Sequence, residues 1–317
     1  MLTHASPYRL FGACLIAAAL LLWGSVASAQ RSIGFLRAPA LAAIDEKTAD
    51  TDYTEEESFN LERNLIFFEA TVDGRPGNFI LDTGAPTLIV NHRGKTEEEG
   101  TRTGLGAGGD VTLTDHRVER FEMGGRTTAN YWAIGLDLRD LEARMDQRVD
   151  GFVGYDLINT GELRIDYRTE RFQLLKSTRR PEHLGKSPRA VLKFSLVDHL
   201  PVVWLRIGKK KYYFAVDTGA GSNLIDRDAL PVEAYQATES IINIQGLDGN
   251  DTDCPTIEVA PPANLPSAGA ESLRFVAMPL DHLRTEGGVH LAGILGSEFL
   301  SRYTVGIDYR RQKLYLW

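Results

Sequence analysis

Phe79-Ile80-Leu81-Asp82-Thr83-Gly84-Ala85 and Phe214-Ala215-Val216-Asp217-Thr218-Gly219-Ala220 are two apolar runs that end on the same tetrapeptide, Asp-Thr-Gly-Ala. Each follows a polar turn and an earlier apolar run. In the first copy that lead-in is Ile66-Phe67-Phe68-Glu69-Ala70-Thr71-Val72-Asp73-Gly74, and in the second it is Pro201-Val202-Val203-Trp204-Leu205-Arg206-Ile207-Gly208 followed by Lys209-Lys210-Lys211. Runs rich in Val, Ile, Phe and Tyr between turn residues read as strands. Each passage is therefore expected to be a hairpin whose second strand carries an aspartate into a tight turn.

The repeat continues downstream. Asp150-Gly151-Phe152-Val153-Gly154-Tyr155 is answered by Ala292-Gly293-Ile294-Leu295-Gly296-Ser297, and Arg164-Ile165-Asp166-Tyr167-Arg168 by Gly306-Ile307-Asp308-Tyr309-Arg310. Gly154 lies 72 residues after Asp82, and Gly296 lies 79 after Asp217. Agreement in order, spacing and residue type marks an internal duplication, which dictates the architecture. Most other segments are short β-like runs broken by Gly and Asn, and a helical pattern is confined to pieces such as 138–145. A mainly β fold is expected.

A lone Asp-Thr-Gly is uninformative, because an Asp before a Gly often only shapes a turn. Two copies on buried strands are another matter. Burial disfavours an ionised carboxylate, and two carboxylates held together cannot both ionise. Such a pair titrates as a unit, so one member can act as general base while the other acts as general acid. A water between Asp82 and Asp217 could then attack an amide carbonyl with no metal or covalent intermediate. Gly84 and Gly219 let the backbone approach and offer N–H groups to the carboxylates. Thr83 and Thr218 are placed to hydrogen-bond between the two turns. Ala85 and Ala220 bring no hydroxyl donor to favour ionisation, so a less acidic optimum is expected than a Ser or Thr there would give.

Paired Asp-Thr-Gly-Ala motifs, each followed by an apolar-apolar-Gly segment, resemble the pepsin and retropepsin clan of aspartic peptidases across nearly the whole of the mature chain that cleavage after Ala29 would leave. The resemblance implies two retropepsin-like lobes related by a pseudo-twofold axis in a bilobal pepsin-like fold. It makes Asp82 and Asp217 the catalytic residues, with Phe152-Val153-Gly154 and Ile294-Leu295-Gly296 completing the strand crossings behind them. The segment 104–110, with Gly104, Gly106, Gly108 and Gly109, becomes the flap over the cleft. Each half is nearer a retropepsin subunit than a pepsin lobe in size, and the flap candidate lacks the tyrosine of pepsin flaps.

Residues 1–29 read as an export signal: a short segment ending in Arg9, an apolar run over 10–26, and the small-residue site Ala27-Ser28-Ala29. An uncleaved anchor is the alternative. Residues 30–58 read as an acidic, mobile leader, with a short propeptide as the alternative, 59–176 as the first lobe, 177–188 as a polar linker with two prolines, and 189–317 as the second lobe. Loss of Arg9 takes the net charge from −8 to −9, which argues against nucleic acid or an anionic membrane surface as partner. Of the two cysteines, Cys14 lies in the signal, so Cys254 has no partner for a disulfide. The expected protein is periplasmic or secreted, monomeric, free of cofactor and metal, and acts on a peptide or protein substrate.

Other signals have ordinary readings. Gly104 to Gly109 formally matches Gly-x-Gly-x-x-Gly, but a β-like run follows where a nucleotide site needs a helix. The seven histidines show no metal-ligand spacing. Lys209-Lys210-Lys211 is a solvated turn, and Asp166 and Asp308 have a structural place after the crossing strands. Ser222 and Ser297 lack the nucleophile elbow of serine hydrolases. Two rival functions remain: a non-catalytic peptide-binding module on the same fold, and, more distantly, a glycosidase using the paired carboxylates.

Overall fold

A computed structural model describes residues 53–94, 102–105, 110–245, 251–266, 272–280 and 290–317, with the backbone of Cys14–Leu15. The rest of the signal segment and of the leader up to residue 52 lies outside the described residues. The chain is mainly β. Among the described residues the longest helix, Arg139–Met145, buries Leu141 and Met145 four residues apart and ends at Asp146 in the left-handed region, φ 52°.

Strands pair in one order twice. In the first half the succession is Leu65–Val72, Arg75–Leu81, Gly151–Val153, Ile89–Asn91, Arg126–Leu136, Asp110–Met123, Arg102–Leu105. In the second it is Leu200–Ile207, Lys210–Val216, Leu291–Leu295, Leu224–Asp226, Leu273–Met278, Asp251–Val259, Tyr235–Gln245. The apolar-apolar-Gly segments lie parallel to the aspartate strands, Val153 opposite Leu81 and Leu295 opposite Val216. Parallel neighbours need a long crossover, which accounts for the distance between the two motifs in each half.

Alternate strand residues face opposite sides of a sheet. Phe79, Ile80 and Leu81 are nonetheless all buried, as are Phe214, Ala215 and Val216, so both faces of each aspartate strand are covered. Phe79, Leu81, Phe214 and Val216 join one core that runs through both halves, with Phe121, Phe172 and Phe275. Ile80 packs instead with Leu65, Ile89 and Phe152, and Ala215 with Leu200, Leu224 and Ile294.

The halves also share a sheet. Glu162–Asp166 runs antiparallel to Thr304–Asp308, with Arg164 opposite Gly306, and the sheet extends through Arg171–Leu175 on one side and Lys313–Leu316 on the other. The linker expected at 177–188 is tied to this sheet: Ser177 Oγ donates to Asp308 Oδ2 (2.8 Å), Arg164 Nη1 to the Glu182 carbonyl (2.8 Å), and Trp317 Nε1 to the Lys186 carbonyl (2.8 Å).

Residues 53–58, expected in a mobile leader, are docked on the body. Glu57–Ser58 pairs with Arg171 and Phe172, Thr54 is buried, and its Oγ1 accepts from the Leu174 N–H at 2.9 Å. The docking uses backbone groups, the Thr54 hydroxyl and the Gln173 amide, which donates to the Thr54 carbonyl at 3.0 Å, and such polar pairings leave no trace in hydropathy.

Candidate active site

Each aspartate strand ends against its parallel neighbour. The Asp82 N–H donates to the Val153 carbonyl and the Asp217 N–H to the Leu295 carbonyl, both at 3.0 Å. The chain then turns sharply. Gly84 N–H (2.7 Å) and Ala85 N–H (3.1 Å) both donate to Asp82 Oδ1, while Gly219 N–H donates to Asp217 Oδ1 at 2.8 Å. The Ala85 and Ala220 carbonyls accept from Tyr155 and Ser297, the residues just after the crossing glycines.

The two turns lock each other. Thr83 Oγ1 accepts from the Thr218 N–H and donates to the Val216 carbonyl; Thr218 Oγ1 accepts from the Thr83 N–H and donates to the Leu81 carbonyl. All four bonds lie between 2.8 and 3.1 Å in a fully buried setting. The glycines bring the turns into contact: a Cβ on Gly84 would sit 2.6 Å from Asp217 Cγ, and one on Gly219 would sit 2.4 Å from Asp82 Cγ. No side chain fits at either position, because each glycine faces the carboxylate of the other half.

Asp82 is 1% exposed and Asp217 0%. Burial first, then the negative charge of Asp217, hold the Asp82 carboxyl well above its usual range. Burial also pushes Asp217 up to about 6, against the pull of the Asp82 carboxyl and of backbone N–H groups. Asp217 Oδ2 is buried, and the Asp217 carboxyl meets that of Asp82. Two carboxyls with raised affinity for a proton, in mutual contact, can hold one proton between them and pass it on near neutral pH.

Among the remaining residues expected at the site, Gly104 sits in the strand Arg102–Leu105, opposite Val111 in a hairpin with Asp110–Met123. Gly106, Gly108 and Gly109 lie outside the described residues. Asp166 and Asp308 cap turns, Asp166 Oδ1 accepting from the Arg168 and Thr169 N–H groups and Asp308 Oδ1 from the Arg311 N–H. Among the described residues, no group of three or more His, Cys, Asp or Glu could hold a metal ion.

Sequence reading missed three features. Tyr235–Gln245 and Asp251–Val259 form a hairpin in the second half, at the place in the strand order that the candidate flap holds in the first. Gly246-Leu247-Asp248-Gly249-Asn250, a turn cluster between two β-like runs, was its available signal. The other two are Asn64 and His199, each 18 residues before its aspartate. Asn64 Nδ2 donates to the Gly221 carbonyl at 3.1 Å, and His199 Nε2 lies 2.6 Å from the Gly84 carbonyl. Each reaches from one half into the other half's turn, a relation with no sequence signature.

Residues 68–157 match the aspartyl protease family model, which supports assignment to a retropepsin-like aspartic protease family. The matched segment contains Asp82, Thr83, Gly84 and the crossing segment through Gly154. No curated protein matches the chain.

Proposed function

We propose that this chain is an aspartic endopeptidase in which Asp82 and Asp217, one from each half, activate a water for attack on a peptide bond. The family match points to a peptidase hydrolase. The observation that carries the finer reading is the mutual contact of the two Asp-Thr-Gly turns, each glycine seated against the opposite carboxylate. The ionised carboxylate takes a proton from the water as the carbonyl is attacked, and the protonated carboxyl donates to the carbonyl oxygen. Thr83 and Thr218 fix the spacing. The backbone N–H groups of Gly84, Ala85 and Gly219 steady each carboxylate while charge moves between them.

In this reading the halves are two retropepsin-like lobes about a pseudo-twofold axis, supported by the repeated strand order. An extended peptide lies in the cleft between them, held by strand-like backbone hydrogen bonds. The protein is exported by residues 1–29 to a periplasm or the exterior, and one copy suffices, since it carries both aspartates.

The test is cleavage of a mixed peptide library across pH by the chain from Gln30 onward and by Asp82→Asn and Asp217→Asn. Cleavage abolished by either single substitution, a loss of about 10³-fold or more, is expected. A well-folded wild-type protein that cleaves nothing at any pH would sink the enzyme reading in favour of a peptide-binding module.

A further inference from the structure

We propose that His199 is a positioning residue for Asp82, acting through the Gly84–Ala85 peptide unit. The inference deepens the peptidase reading and rests on it for its kinetic arm only. A carbonyl can only accept, so the contact at 2.6 Å requires the proton on Nε2 of the imidazole. The carbonyl it holds belongs to the same peptide plane as the Ala85 N–H, which donates to Asp82 Oδ1 at 3.1 Å. A donor on the oxygen of an amide polarises its N–H, so hydrogen bonds in series strengthen one another. His199 thereby aims and sharpens one of the two N–H groups that face Asp82 Oδ1.

The ring is well placed to do this without moving. His199 is 8% exposed at the start of the strand Leu200–Ile207, just after Asp198 in the left-handed region, φ 53°. The Tyr155 ring packs beside it at 6.3 Å between centroids. Burial lowers its proton affinity against the Gly84 carbonyl and the charge of Asp198, which keeps the imidazole neutral and Nε2 a donor. The titratable groups around it and the aspartates are Asp198, Tyr155 and Tyr309, with Tyr167 reaching the second turn through Ser297.

Among the described residues, the Asp217 turn has no equivalent. Asn64 occupies the matching position, but its amide meets the carbonyl of Gly221, two residues past the turn glycine, whereas the N–H bonded to Asp217 Oδ1 is that of Gly219. Among the described residues, only the Asp82 turn is steadied from across the molecule in this way.

The experiment is ¹³C titration of aspartate carboxyls by NMR, with long-range ¹H–¹⁵N correlation of the imidazoles on the same wild-type sample. His199 is expected as the Nε2–H tautomer throughout. In His199→Asn, whose amide is too short to replace Nε2, the titration that the pair shares, read at the Asp82 carboxyl, moves up by about half a pH unit or more, because the ionised carboxylate loses part of its donor. His199→Gln, whose amide reaches as far as Nε2, restores the wild-type titration for the most part.

An Nδ1–H tautomer in the wild type, which needs no variant to detect, overturns the proposal. So do equal shifts in the Asn and Gln variants, or none in either. With peptide as substrate, His199→Asn loses about tenfold in kcat at unchanged KM and Gln recovers it; a loss confined to KM overturns the positioning role. A wild type that titrates as expected but cleaves no peptide leaves the positioning standing and removes the peptidase reading.

Discussion

The Asp82 turn and the Asp217 turn share a backbone and differ in what surrounds it. Asp82 Oδ1 takes the Gly84 and Ala85 N–H groups, the second with His199 on the carbonyl of its peptide unit; Asp217 Oδ1 takes the Gly219 N–H, and the side chain at the matching position, Asn64, holds the Gly221 carbonyl instead. After the crossing glycine the first half has Tyr155 where the second has Ser297. Tyr167 of the first half reaches Ser297 Oγ at 3.4 Å, whereas Tyr309 of the second packs edge-on against Tyr155 with its hydroxyl buried and without a partner. The features held in common build the paired carboxylates. The differences give the two carboxyls unequal surroundings.

The largest stability effect tests what is shared. Thr83→Val and Thr218→Val each remove two hydrogen bonds and leave a backbone N–H and a carbonyl of the opposite turn buried without partners. At about 1–3 kcal/mol per orphaned group, each substitution costs about 4 kcal/mol in urea unfolding. Near-equal losses are expected because the four bonds are geometrically alike. A difference above about 2 kcal/mol between the variants would show that the lock is carried by one turn.

A somewhat smaller effect separates the carboxylates by pH. A carboxyl whose affinity for a proton is raised on folding contributes stability below its unfolded value and loses it as pH rises through the folded one. For Asp217 the window runs from 3.8 to about 6, so wild-type stability falls across it. In Asp217→Asn that fall shrinks by on the order of 3 kcal/mol. Melting temperatures measured between pH 3.5 and 7 check this, and parallel curves for the two proteins would refute the raised affinity.

The sequence carried much of this. Repeated Asp-Thr-Gly and apolar-apolar-Gly segments predicted the aspartate strands and the crossing segments beside them, because a strand buried on both faces must be apolar at consecutive positions. The helical run near 138–145 was legible from the spacing of Leu141 and Met145. Contacts between the halves were not. The sheet that joins Glu162–Asp166 to Thr304–Asp308, the docking of Thr54, and the reach of Asn64 and His199 are long-range pairings of polar or backbone groups. Nothing in local periodicity encodes them.

The smallest effect falls on the tyrosines and tests the asymmetry most directly. Tyr309 Oη is a buried hydroxyl without a partner, and an unmet polar group of that kind is destabilising by about 1–3 kcal/mol. Tyr309→Phe removes the oxygen and leaves the ring against Tyr155 and Phe194, so it is expected to raise stability by about 1 kcal/mol. Tyr167→Phe removes a long hydrogen bond to Ser297, whose Oγ keeps its donation to the Thr218 carbonyl, and costs about 0.5 kcal/mol. Opposite signs in urea unfolding would establish that the two halves, alike in backbone, differ in the polar groups packed beneath their aspartates. If both substitutions destabilise equally, the Tyr309 hydroxyl has a partner, and this part of the asymmetry is lost.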